Sequence, residues 1–163
     1  MTENYFIQLA DYNIWANNIV HSWLEKITDE QWEQPVVSSF ESIGATALHI
    51  AGAETIWLDR LNLVQAPVWL PSVFKGAKKD IQDLWKKSSL NLKSFIENFD
   101  GSKLQVNLCF KRLNGEAYEM PHYQLFAHVF NHSTYHRGQI VTMLRQVSFT
   151  DISSTDMLGF FRK

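Results

Sequence analysis

Three histidines spaced four residues apart constrain this chain more than any other feature. They lie in PHYQLFAHVFNHSTYHRGQIVTMLRQV, residues 121–147, as His128, His132 and His136. On an α-helix each step of four residues turns the side chain by only about 40°, so all three imidazoles share one face. Burying them without partners would leave ring nitrogens unsatisfied at about 1–3 kcal/mol each. Two arrangements avoid that cost: a shared metal ion, or a polar seam of histidines. Histidines at i and i+4 can aim ring nitrogens at a single ion, and a third ligand must then come from elsewhere in the fold.

The third ligand should face inward near the middle of another helix. His49 meets that requirement in SIGATALHIAGAETIWLDRLNL, where Ile50, Ala53 and Trp57 place it on or beside the buried stripe. The neighbouring Ala51, Gly52 and Ala53 leave room for a close approach. Joined to two of the helix histidines, His49 would complete a three-nitrogen site with open positions, the layout of catalytic rather than structural metal sites. Spacing alone does not choose between the pair His128/His132 and the pair His132/His136. It does exclude a metalloprotease helix, because Val129 follows His128 and Ser133 follows His132, where a glutamate base would be needed. No nucleophile elbow, glycine-rich phosphate loop or CxxC pair is present.

The rest of the chain supplies helices for such a site. Phe6, Leu9, Asn13, Ala16, Val20 and Trp23 form one stripe of a first helix, about Glu3 to Lys26, for which Thr2 is a candidate cap. Thr28 to Gln31 reads as a capping box before Pro35, and residues 34–41 as a connection. Ile43, Ala47, Ile50, Glu54, Trp57 and Leu61 mark a second long helix, and residues 77–98 a third with Lys78, Lys79, Lys86, Lys87 and Lys93 solvated. Between these two, residues 64–76 carry Pro67 and Pro71 and several apolar side chains. That loop should fold back on the core, or serve as a pocket lid or dimer contact. Asn114-Gly115 between LQVNLCFKRL and EAYEM predicts a hairpin with a type I′ turn, Pro121 should sit in the first turn of the histidine helix, and Phe160 and Phe161 should lie in a short C-terminal turn.

At 163 residues, with 45% apolar and 20% charged side chains, the chain is expected to close one domain, 1–163, around its own core. A net charge of −2 offers no basic field for nucleic acid. The N-terminal MTENYFIQLADYN carries Glu3 and no basic run, so no signal peptide is expected, and no stretch of about 18 apolar residues predicts a membrane span. The lone Cys109, between Leu108 and Phe110, is expected to be a buried small hydrophobe and fits a reducing cytoplasm. His21 and His122 read as ordinary hydrogen-bonded residues.

HVFNHSTYHRGQI, with YNIWAN at residues 12–17 and LHIAGAETIWLDRL at residues 48–61, resembles the DinB family of DinB/YfiT-like metalloenzymes, in the right order over nearly the whole chain. The resemblance implies an all-α, up-down-down-up four-helix bundle with a small β-hairpin before the last long helix. It further implies a homodimer and a divalent ion, zinc or nickel, held by His49, His132 and His136. His128 then becomes a neighbour of the ligands or a pocket residue. Arg137 is expected to brace adjacent elements, Gly138 to allow a close helix crossing, and Trp15 and Trp57 to pack. Relatives on this scaffold include transferases that join bacillithiol, mycothiol or glutathione to small electrophiles, so the implied activity is thiol S-transfer. The alternatives are metal-dependent hydrolysis, for which no carboxylate base is evident beside the ligands, and a non-catalytic metal-binding stress-response protein.

Overall fold

Four long amphipathic segments form helices whose apolar stripes close on one another. In the computed structural model, which describes residues 2–162, α1 spans Glu3–Leu24, α2 Asp29–Glu33, α3 Ile43–Leu61, α4 Lys78–Glu97, α5 His122–Gln146 and α6 Met157–Phe161. Between α4 and α5 stands an antiparallel hairpin of β1, Asn107–Lys111, and β2, Ala117–Pro121, with Cys109 opposite Glu119. Helices α1 and α3 each pack against both α4 and α5.

Contacts set the directions. Phe6, early in α1, meets Phe126, early in α5, edge-on at 5.3 Å, so these helices run parallel. Thr46, early in α3, donates to Met143 Sδ, late in α5, at 3.2 Å, so α3 is antiparallel to α5. Ile81 and Trp85, early in α4, share a cluster with Val20 and Trp23 late in α1, which turns α4 antiparallel to α1. The bundle is therefore up-down-down-up. Its two parallel middle helices need a long crossover, which residues 62–77 provide.

The stripe of α1 is buried from Phe6 to Trp23, and that of α3 at Ile43, Ala47, Ile50, Glu54 and Leu61. Two apolar clusters result. One gathers Trp23, Trp32, Trp85 and Met143; the other gathers Phe6, Leu92, Phe126 and Phe130. Between them the same faces bury Asn13, Asn17, Glu54, Ser88, Ser89, Ser133 and Arg137. No described helix is long and apolar enough to cross a membrane.

Several local expectations are corrected. The Thr28 to Gln31 capping box forms, and Ser42 Oγ accepts from Ala45 N at 3.1 Å, but the Thr2 side chain makes no cap bond. The hairpin turn is not type I′: only Gly115 has positive φ, at +87°, and Arg112 pairs with Glu116 across a three-residue loop with one left-handed glycine. Pro121 precedes α5 as its N-cap instead of lying within its first turn. Cys109 is exposed, because Leu108 and Phe110 turn inward and strand alternation points the residue between them outward. The glycines of α3 are approached by Trp32 at Gly44 and by Pro71 at Gly52, not by a long helix, while Gly138 has open space beside it. Lys78 is half-buried and donates to Ile27 O at 2.6 Å, and Lys93 pairs with Asp11 at 2.5 Å.

Candidate metal centre

Antiparallel packing of α3 against α5 brings His49 to the face that carries His132 and His136. His132 Nε2 lies 3.0 Å from His49 Nε2 and 3.1 Å from His136 Nε2. One nitrogen from each of the three rings falls within 4.8 Å of the others, so the set could hold a metal ion. His136 is buried, His49 and His132 half-buried.

Hydrogen-bond chemistry shows that the donor set fits a cation. His136 Nδ1 lies 2.7 Å from Gln139 Oε1, an acceptor, so in the neutral ring Nδ1 carries the proton and Nε2 presents its lone pair. His132 Nε2 then faces two nitrogens with either one proton to give or one lone pair to accept. One of its two contacts stays unsatisfied in every neutral tautomer, whereas a single cation among the three lone pairs satisfies all of them. Gln139 is itself anchored, donating from Nε2 to Ser39 Oγ at 2.6 Å. This is the outer support that orients metal-ligating imidazoles.

Electrostatics keep the rings ready. Burial, then the neighbouring His136, pushes the pKa of His49 down to about 4. Burial and the adjacent His136, His49 and His128 push His132 down to about 3. His136 is lowered by burial, which Gln139 partly opposes. At neutral pH an incoming ion has few protons to displace. Aromatic walls surround the cluster: Phe40 lies 4.3 Å from the His49 ring and 5.6 Å from His136, and Trp69 of the crossover lies 5.4 Å from His49.

His128 stays outside this cluster. Its ring centroid is 5.9 Å from that of His132 and 5.1 Å from that of Trp57, and it lines a separate cavity with Trp57 and Arg60. His122 is remote, with Nδ1 2.7 Å from Val106 O, and His21 is buried against Trp85 with neither ring nitrogen hydrogen-bonded among the described residues.

The sequence offers no evident carboxylate base beside the ligands, yet Glu54 is fully buried in the same helix as His49. It accepts from Asn13 at 2.8 Å and Ser133 at 3.2 Å through Oε1, and from Ser88 at 3.0 Å and Ser89 at 2.6 Å through Oε2. Four donors occupy its oxygens, and it does not join the cluster of histidine nitrogens. Its charge complements Arg137, which donates to Asn13 Oδ1 at 2.5 Å, Asn17 Oδ1 at 2.9 Å and Thr134 Oγ1 at 2.8 Å. The signal was present: Glu54 occupies the α3 stripe at apolar spacing. Gln139, within the HRGQI segment, and Phe40 have no individual role legible in the sequence.

Fold and cluster together define a class: an up-down-down-up helical bundle with a histidine centre between its second and last long helices. The model of the DinB family matches residues 1–158, and the chain belongs to that family. It is 25% identical over 153 residues to Protein DinB of Bacillus subtilis (strain 168), covering 90% of this chain and 88% of that one. A second relative from the same organism, the uncharacterized protein YrdA, is 26% identical over 128 residues, covering 78% and 74%. Among solved structures, a DinB-like protein from Bacillus cereus ATCC 10987 superposes with a TM-score of 0.72 at 21% identity, covering 94% of this chain and 97% of that one. The DinB-like protein YjoA of Bacillus subtilis gives 0.66 at 15% identity, covering 91% and 97%.

Proposed function

We propose that His49, His132 and His136 hold one divalent ion, zinc or nickel, and that the protein is a metal-dependent thiol S-transferase acting on small electrophiles. The observation that carries this reading is the convergence of three Nε2 lone pairs at 3.0 and 3.1 Å, with the His136 tautomer set by Gln139. When bound, a divalent ion supplies a Lewis acid that depresses the pKa of a nearby thiol into the neutral range. The residues then have three tasks. The histidines would hold the ion, Phe40 and Trp69 wall the histidine cluster with apolar surface, and Gln139 orients the His136 ring. The thiol sulfur bonds to the electrophile as the leaving group departs, and the thiol proton passes to solvent.

Thiol transfer stands ahead of hydrolysis because a water-activating site would use a free carboxylate base, and the oxygens of Glu54 are already occupied by four donors. The same reading treats residues 1–163 as one domain acting on a small-molecule thiol and electrophile as a homodimer in the cytoplasm. The homodimer is supported by the part-exposed apolar crossover around Trp69, and the reducing compartment by the single cysteine.

Elemental analysis of protein made without a histidine tag tests the centre. About one metal per chain is expected in wild type and in His128→Ala, and none in His132→Ala. A metal-free wild type after loading overturns it. Conjugation of a panel of thiols to a chromogenic electrophile tests the chemistry: turnover should vanish in His132→Ala. Retention of metal with no acceleration of any thiol would leave a binding protein in place of an enzyme. A monomer in size-exclusion mass measurement at micromolar concentration would remove the dimer.

A further inference from the structure

We propose that the cavity between the β-hairpin and α3 is an anion site for one reactant, a small organic carboxylate with a flat apolar body. The cavity has a volume of about 480 Å³ and is lined by Trp57, Arg60, Phe110, Arg112, Tyr118 and His128 among others. It borders the histidine cluster through His128, whose ring is 5.9 Å from His132. Its aromatic walls are close set: Trp57 and Phe110 meet edge-on at 5.1 Å, and Phe110 and Tyr118 stack at 6.1 Å.

Arg60 gives the cavity its charge preference. Its guanidinium lies 4.6 Å over the Trp57 ring and 5.5 Å from that of Phe110, and its buried Nε has no hydrogen-bond partner among the described residues. Among the described residues its side chain makes no ion pair, whereas Arg112 across the cavity has Glu116 at 3.3 Å. Burial, then the neighbouring Arg112, disfavours the protonated form of Arg60. One guanidinium without a counter-charge calls for one negative charge, and its planar fork can take a carboxylate through two parallel hydrogen bonds. A second cavity, between α2 and α4, has about 670 Å³, but its lysines stand among Glu25, Asp29, Glu33 and Asp83 and leave no comparable excess of charge.

The inference rests on the proposed centre only for where the reacting end of the ligand goes, so the anion site is measurable in metal-free protein. Benzoate and its neutral analogue benzamide serve as probes, titrated into metal-free and zinc-loaded protein while the Trp57 indole N–H resonance is followed by NMR. Benzoate should shift that resonance in both forms, and benzamide should bind about tenfold or more weakly. Arg60→Gln should reduce benzoate affinity by a similar factor, and the exposed Arg145→Gln should leave it unchanged. Arg60→Lys, which keeps the charge and loses the fork, should fall between and covers the case in which Arg60→Gln fails to fold. Equal binding of the two probes, or benzoate binding indifferent to Arg60, overturns the anion site. Benzoate binding that appears only with zinc places the carboxylate on the ion and also overturns it. Zinc binding measured on the same samples separates the two ideas: a metal-free protein that still takes benzoate through Arg60 keeps the anion site and discards the centre.

Discussion

At the scale of single residues, Gln139 decides which nitrogen of His136 faces the cluster. Removing it frees the ring to turn and to change tautomer, so Gln139→Ala should weaken zinc affinity by about 10- to 100-fold without unfolding the chain. Competition with a chromophoric chelator reads this directly; unchanged affinity would show that the packing of Phe40 suffices to orient the ring. His21 carries a different consequence. Burial, with Lys86 beside it, lowers its pKa from 6.5 to about 4 in the folded protein. Between those pH values the unfolded chain binds a proton that the folded one refuses. The stability this neutral ring contributes above pH 6.5 is therefore lost as pH falls toward 4, by up to about 3 kcal/mol. Urea unfolding at pH 7.5 and pH 4.5 checks it, and His21→Phe should shrink the difference between the two. Cys109 shows how far residue type alone reaches: Leu108 and Phe110 beside it are apolar, but its exposure follows from the strand face opposite theirs.

At the scale of elements, helix ends carry strain that helix spacing does not reveal. Both α3 and α5 close through a left-handed residue that is not glycine, Leu63 at φ 58° and Ser148 at φ 64°. In each case the next amide bonds back across the turn: Val64 N to Asp59 O and Phe149 N to Leu144 O, both at 2.9 Å. A left-handed L-residue costs about 1–2 kcal/mol, and the Leu63 side chain is 63% exposed, so little packing offsets that cost. Leu63→Gly should stabilise the protein by about 1 kcal/mol and raise Tm by roughly 2–4 °C, while Leu63→Ala should not. Calorimetry of the two variants decides it, and an unchanged Tm for Leu63→Gly would mean the turn is not strained. The hairpin shows the same limit of local reading. Asn114-Gly115 marked the turn, but a three-residue loop with one left-handed glycine satisfied the strands without forcing Asn114 to positive φ.

At the scale of the molecule, the polar layer ties all four long helices together: Asn13 and Asn17 from α1, Glu54 from α3, Ser88 and Ser89 from α4, Ser133 and Arg137 from α5. Glu54→Ala leaves a buried guanidinium without its counter-charge and should cost about 3–5 kcal/mol, as should Arg137→Met. The double variant should cost less than the sum, because each change removes the reason for the other's penalty. Denaturant unfolding of the three proteins tests the coupling, and strict additivity would dissolve it. The chain by itself determined which faces are buried and that three imidazoles stand in a row, because a period of 3.6 residues is a local property of the helix. The tertiary structure brings His132 and His136, the pair the resemblance implies and spacing leaves open, against His49 and leaves His128 aside, sets Glu54 to answer Arg137 across the bundle, and leaves Arg60 with no ion pair among the described residues in an aromatic cavity. Those outcomes depend on the direction and register of α3 against α5 and of the hairpin against α3, which come from long-range packing that no spacing along one helix encodes.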